Sequence, residues 1–146
     1  MAGIFRRLAP AQALSMCTFR HAWLALGALW VAAVVYLSLI PPPPQPLPFS
    51  YLDKVEHALA YGLLMLWFSH AYQKIQPRIV VAALLIVVGI ALEYLQRMTG
   101  YREFSYADML ANGAGVLLGW ALAYTAGAWL KAKFKIGRHD RKNNSI

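Results

Sequence analysis

Charge is what this sequence has least of. Aspartate, glutamate, lysine and arginine make up 14% of its 146 residues, six acids against fourteen bases, where a soluble domain carries about 25% charged residues. Cysteine is nearly missing as well. The single Cys17 cannot close an intramolecular disulfide, and no Cys/His pair has the spacing of a zinc module, so neither a metal nor another cofactor is expected from a sequential motif. No segment alternates apolar and polar residues as a transmembrane β-strand would, which excludes a β-barrel. The hydrophobic share of 60% and the mean hydropathy of +0.46 point to a membrane protein. The formal charge of +8 belongs to residues that flank apolar runs, so nucleic acid is not an expected partner.

Four apolar segments follow one another. Trp23 to Ile40 holds 18 residues without a charge and Met109 to Leu130 holds 22, close to the roughly 20 that a helix needs to cross about 30 Å of hydrocarbon. Between them lie Val55 to Tyr72 and Ile79 to Met98, long enough if the polar residues at their ends reach the headgroups. The expected class is all-α, a polytopic membrane protein with four transmembrane helices. Residues 1–21 form a basic arm, 22–130 the membrane domain and 131–146 a basic tail.

Lysine and arginine give the orientation. Eleven of the fourteen fall in the two termini and the middle loop, and cytoplasmic segments collect such residues, so both termini are expected in the cytoplasm, with the chain in the cell (inner) membrane. The first segment is expected to be retained, since its apolar run is longer than that of a signal peptide. Residues Gly3 to Leu14 are expected to lie on the inner surface as a short amphipathic helix. Six of the eight prolines lie between Pro41 and Pro48, a stiff connector on the outer side.

The polar residues at the ends of the segments carry the functional question. The second helix opens with Asp53, Lys54, Glu56 and His57, and Tyr61 lies four residues beyond His57. The third ends with Glu93 and Gln96. The fourth opens with Ser105, Asp108 and Asn112, after which Gly115 and Gly119 continue the same helical face. Capping boxes account for Asp53 and Glu56, and again for Ser105 and Asp108; an ion pair with Arg97 or Arg102 would account for Glu93. Antiparallel crossings nevertheless bring all three ends to one outer side, predicting an outward-facing pocket with Arg102 above it. A carboxylate inside a membrane segment normally faces a partner or a water-filled cavity, which makes Glu93 the strongest pointer. Gly115 and Gly119 allow close approach of a helix, within the chain or in a homodimer.

The ordered stretches "DKVEHALAYGLL", "EYLQ" and "REFSYADMLANGAGVLLG" resemble the VanZ-like family of small membrane proteins, over roughly Pro41 to Gly119. The positions that match its recurring residues are Asp53, Lys54, His57, Tyr61, Glu93, Gln96, Arg102, Asp108, Asn112, Gly115 and Gly119. Where the family often has a proline just before the arginine, this chain has Gly100 and Tyr101. The resemblance implies a link to antibiotic resistance, since the founding member is associated with resistance to the lipoglycopeptide teicoplanin.

Three functions compete at this level. The first is an envelope accessory protein whose ligand-binding residues are Asp53, Lys54, His57, Tyr61, Glu93, Gln96, Arg102, Asp108 and Asn112, holding membrane lipid or a lipid-linked or lipoglycopeptide molecule. The second is an enzyme acting on an envelope lipid or its headgroup, with His57, Glu93 and Asp108 as catalytic candidates. A metal held by those same three residues is a subordinate version. The third is a structural bundle in which the polar groups only set helix register.

Overall fold

The computed structural model describes residues 10–41 and 50–143, with side chains placed over 18–41 and 51–128. The fold is all-α. Four helices follow in order: α1 (Pro10–Leu39), α2 (Ser50–Ala71), α3 (Ile75–Met98) and α4 (Tyr106–Asn143). The proline connector between α1 and α2, the arm ahead of Pro10 and the side chains of the basic tail lie outside the described residues. Among the described residues Pro10 to Leu14 belong to α1; the rest of the surface helix expected over Gly3 to Leu14 lies outside them.

The segment ends follow local chemistry. α3 starts with Pro77 in its first turn and stops at Thr99, whose hydroxyl and backbone N–H both donate to the Gln96 carbonyl at 2.6 and 3.1 Å. Gly100 follows with φ 78°, the left-handed conformation that ends a helix and that glycine adopts without steric cost. The Gly100–Tyr101 pair, unusual against the resemblance, is thus a helix cap.

Three helices are long and apolar enough to cross a membrane: Thr18–Leu39, Ile75–Met98 and Tyr106–Ala128. Against the expectation of four, α2 is not among them. Its 22 residues would reach about 33 Å at 1.5 Å per residue, so length is not the obstacle. Its first two turns carry Asp53, Lys54, Glu56 and His57, tolerable because α2 is the central helix and packs on all three others. Tyr61, Leu64 and Met65 of α2 form the core with Ala82 and Leu85 of α3 and Val116 of α4. Large apolar side chains such as Leu29, Leu84, Val87, Leu117 and Leu118 point outward, an arrangement suited to acyl chains and costly in water.

The helices run alternately up and down, as their end contacts show. At one end, Trp23 of α1 stacks on Trp67 of α2 with centroids 3.8 Å apart, and each indole N–H donates to the other residue's carbonyl at 3.2–3.3 Å. Arg78, near the start of α3, donates to the carbonyls of Ser69 and Tyr72 at 2.9 and 2.7 Å, satisfying acceptors that the end of α2 leaves open. At the opposite end, the close of α1 and of α3 meets the opening of α2 and of α4.

Candidate functional site

At that second end polar side chains of α2, α3 and α4 interlock and reach backbone carbonyls of α1. The Lys54 ammonium donates to Asp108 Oδ1 at 3.0 Å, linking α2 to α4. One turn deeper, His57 Nδ1–H donates to Asn112 Oδ1 at 3.1 Å. Asp53 sits at the rim, its Oδ1 3.8 Å from His57 Nε2 and 3.7 Å from Arg102 Nη1. Gln96 donates from Nε2 to the Ser38 carbonyl of α1 at 2.9 Å, and the Tyr101 hydroxyl donates to the carbonyl of Leu39. Asp108, Asn112, Glu93 and Gln96 are each at least 95% buried, and groups so buried are retained only with partners.

Helical spacing and missing side-chain atoms make this contact. Asp53, His57 and Tyr61 recur at every fourth residue along one face of α2, and Asp108, Asn112, Gly115 and Gly119 line one face of α4. A Cβ on Gly115 would lie 2.2 Å from the Ala58 carbonyl oxygen, and one on Gly119 2.1 Å from that of Gly62. The two backbones therefore touch, in the manner of small-residue faces in membrane helices. Gly89 of α3 makes room on the third side, where a Cβ would come within 3.0 Å of Asn112 Nδ2 and 3.3 Å of the Tyr61 ring. The glycine face that the sequence left open to a homodimer is covered by α2 of the same chain.

A cavity of about 200 Å³ opens at this end. Val34 and Leu37 of α1 give it an apolar side, and Asp53, His57, Tyr61 and Arg102 a polar one. The Tyr61 hydroxyl is buried with no hydrogen-bond partner, and so is Arg102 Nε. Both are donors without acceptors beside a cavity. The hydrogen bond from Lys54 to Asp108 raises the lysine pKa above its ordinary 10.5, keeping the rim ammonium charged.

Nine residues were expected to bind ligand, and the fold sorts them. Asp53, His57, Tyr61 and Arg102 line the cavity; Lys54, Asp108 and Asn112 join α2 to α4 and do not line it, nor do the buried Glu93 and Gln96. Glu93 Oε2 accepts the Ser105 backbone N–H at 3.1 Å, so its acid caps α4 from a neighbouring helix. Neither Arg97 nor Arg102 is its ion-pair partner among the described residues; Arg102 turns to Asp53. The capping box at α4 is half formed: Ser105 Oγ accepts the Asp108 N–H at 3.3 Å. The reciprocal arm comes from Glu93, which frees Asp108 for Lys54. The catalytic trio His57, Glu93 and Asp108 does not assemble as a metal set either. The residues whose ligand atoms all lie within 4.8 Å of one another are Asp53, His57 and Asp108.

Sequence reasoning passed over several contributors. Ala58 and Gly62 supply the α2 half of the close helix contact, and their four-residue spacing of small side chains was the available signal. Ser38 and Gly89 gave none, since a backbone acceptor on α1 and a gap on α3 acquire meaning only when the helices are brought together.

The family model described as VanZ/LLP1 matches residues 6–129 of this chain. No curated protein and no solved structure gives a significant match.

Proposed function

Since the chain belongs to the VanZ/LLP1 family and is a membrane protein, we propose that it is an envelope accessory protein that holds the polar headgroup of a membrane lipid in its cavity. All four helices cross the bilayer in this reading, both termini are cytoplasmic and the polar end meets the outer leaflet. Support for the orientation comes from the up-and-down helices together with the basic residues gathered at the termini and the middle loop. α2 crosses as the central member, with its charged first turns at headgroup level.

One observation carries the ligand class. Tyr61 and Arg102 bring unpaired donors to the cavity while Asp53 faces it with a carboxylate, so the complementary molecule has a phosphate oxygen for the donors and an amine for the acid. A volume of about 200 Å³ equals six or seven waters at about 30 Å³ each, the scale of a phospholipid headgroup and far below that of a whole lipoglycopeptide. A role in teicoplanin resistance would then run through a lipid, or through one end of the drug. Leu37 and Val34 of α1 lie where the acyl chains of such a lipid would descend.

The test is native mass spectrometry of the full chain after gentle extraction. Wild type is expected to retain one amine-bearing phospholipid that Tyr61→Phe and Arg102→Gln lose at lower collision energy; equal retention in all three refutes the reading. Orientation is checked with an impermeant maleimide in a Cys17→Ser background, where Glu56→Cys labels from outside and Arg141→Cys does not.

A second reading, a membrane-embedded enzyme acting on the same headgroup, has one specific observation behind it. His57 is oriented by Asn112 through Nδ1, so Nε2 faces the cavity side next to Asp53, the geometry of a general base. Release of a free headgroup from labelled lipid, abolished in His57→Gln, would favour this reading over simple binding.

A further inference from the structure

The wall of the cavity has a second property, which shares Asp53 with the headgroup reading. His57 donates its Nδ1–H to the amide oxygen of Asn112 at 3.1 Å, and an oxygen there can only accept. In the neutral ring this leaves a lone pair on Nε2, directed toward Asp53 Oδ1 at 3.8 Å. Two acceptors facing each other beyond hydrogen-bonding distance leave a place suited to a cation. A carboxylate oxygen of Asp108 completes the group: one ring nitrogen of His57 and one oxygen from each acid all lie within 4.8 Å of one another.

We propose that Asp53 and His57, which line the cavity, together with Asp108 beside them form a binding site for a divalent cation of the zinc class. One imidazole nitrogen with two carboxylates suits zinc, and three protein ligands leave a fourth position open. The Asn112 amide does what an outer-shell partner of a metal-bound histidine does: it fixes the tautomer and the ring plane. An independent sign of a ligand lies in the same cavity, where the hydroxyl of Tyr61, 98% buried, has no partner. That donor is available to an oxygen held at the open position.

The ligand atoms must draw in by about 1 Å to reach zinc bonds of about 2.0–2.2 Å. Asp53 can move, since its side chain is 45% exposed. Asp108 is the harder partner, because the Lys54 ammonium occupies its Oδ1 at 3.0 Å. Lysine and metal therefore compete for one carboxylate: when the cation enters, Lys54, itself 34% exposed, swings into the headgroup region. The competition gives the proposal a signature that a chance acidic patch would lack, since removing a positive side chain beside the cluster tightens the site specifically for the metal.

This inference does not rest on the headgroup reading and is tested with the metal alone. The full chain in detergent, stripped with a chelator, is titrated with Zn²⁺ by calorimetry and with Co²⁺ by visible absorption. One equivalent is expected to bind wild type. Asp53→Asn and His57→Ala weaken binding at least about tenfold, Asn112→Ala weakens it by about ten- to a hundredfold, and Lys54→Met tightens it. His70→Ala, at the other end of α2, leaves it unchanged. Should the histidine variant fold poorly, Asp53→Asn at the exposed rim carries the same test. Absence of saturable one-to-one binding, or binding that survives both Asp53→Asn and His57→Ala, overturns the proposal. Equal lipid retention in wild type, Tyr61→Phe and Arg102→Gln, with metal binding intact, would refute the headgroup reading alone.

Discussion

Gly115→Ala is the most exacting probe of how α2 and α4 fit together. Its new methyl carbon would sit 2.2 Å from the Ala58 carbonyl oxygen, short by about 1.1 Å of a tolerable C···O contact of about 3.3 Å. The obstacle is helix backbone, so no side chain can rotate away, and the two helices must separate by about that amount. Overpacking of this kind costs about 1–3 kcal/mol. The displacement also reaches the site, because Asn112 lies one turn from Gly115, and an opening of 1 Å would take the 3.1 Å bond to His57 out of range. The chain contains its own control: a Cβ on Gly113, two residues away on the same helix, meets nothing within 4 Å. Gly113→Ala should be neutral or gain up to about 1 kcal/mol from helix propensity. Equilibrium unfolding in mixed micelles, followed by circular dichroism as denaturing detergent increases, measures both. Equal stability of the Gly115 and Gly113 variants would refute the contact and with it the depth alignment of the polar residues.

Further predictions follow from other contacts. Glu93→Ala leaves the Ser105 N–H that Glu93 accepts at 3.1 Å without a partner and should cost about 1–3 kcal/mol, whereas Glu93→Gln keeps an acceptor and most of the stability; equal losses in the same unfolding assay would show that the cap is not the role of this acid. Lys54 has a folded pKa raised above 10.5 by its bond to Asp108, so its contribution is complete below that value and disappears as pH climbs through the folded one. The stability gap between wild type and Lys54→Met should accordingly hold steady from about pH 7 to about pH 10 and close above it; a gap that already narrows near neutral pH contradicts the pair. Trp23→Phe removes one of two indoles stacked 3.8 Å apart, which should abolish their coupled near-ultraviolet dichroism and cost about 0.5–1.5 kcal/mol beyond lost area. An unchanged spectrum would mean the stack does not form.

Much of this fold is written in runs of apolar residues. α1, α3 and α4 show in the sequence because every turn of their apolar stretches is lipid-compatible, and hydropathy measures that property directly. α2 is less plain for a physical reason: it packs on all three other helices, and a helix so placed can carry Asp53, Lys54 and His57 on its covered side as long as its neighbours supply partners. The helices also outrun the apolar segments. α1 reaches back to Pro10 and α4 on to Asn143, since a helix does not stop where hydrocarbon stops, and a charged stretch such as the tail after Leu130 loses nothing by remaining helical.

The common depth of the polar residues could be read from parity alone, because alternating crossings must bring the end of α3 level with the starts of α2 and α4. Which residue meets which could not. Spacing along a helix fixes angles within one cylinder and says nothing of the rotation of the next, so the sequence could name Glu93 and Asp108 as candidates but not that Glu93 accepts the Ser105 N–H at the start of α4 or that Asp108 pairs with Lys54. The division of roles follows from geometry: Ser105 needs an acceptor for its N–H, and an acid from α3 reaches it from outside the helix. That releases Asp108 to turn inward, beside His57. The chemistry at this end of the bundle thus depends on a structural carboxylate taking over a duty that the local sequence assigns to a different one.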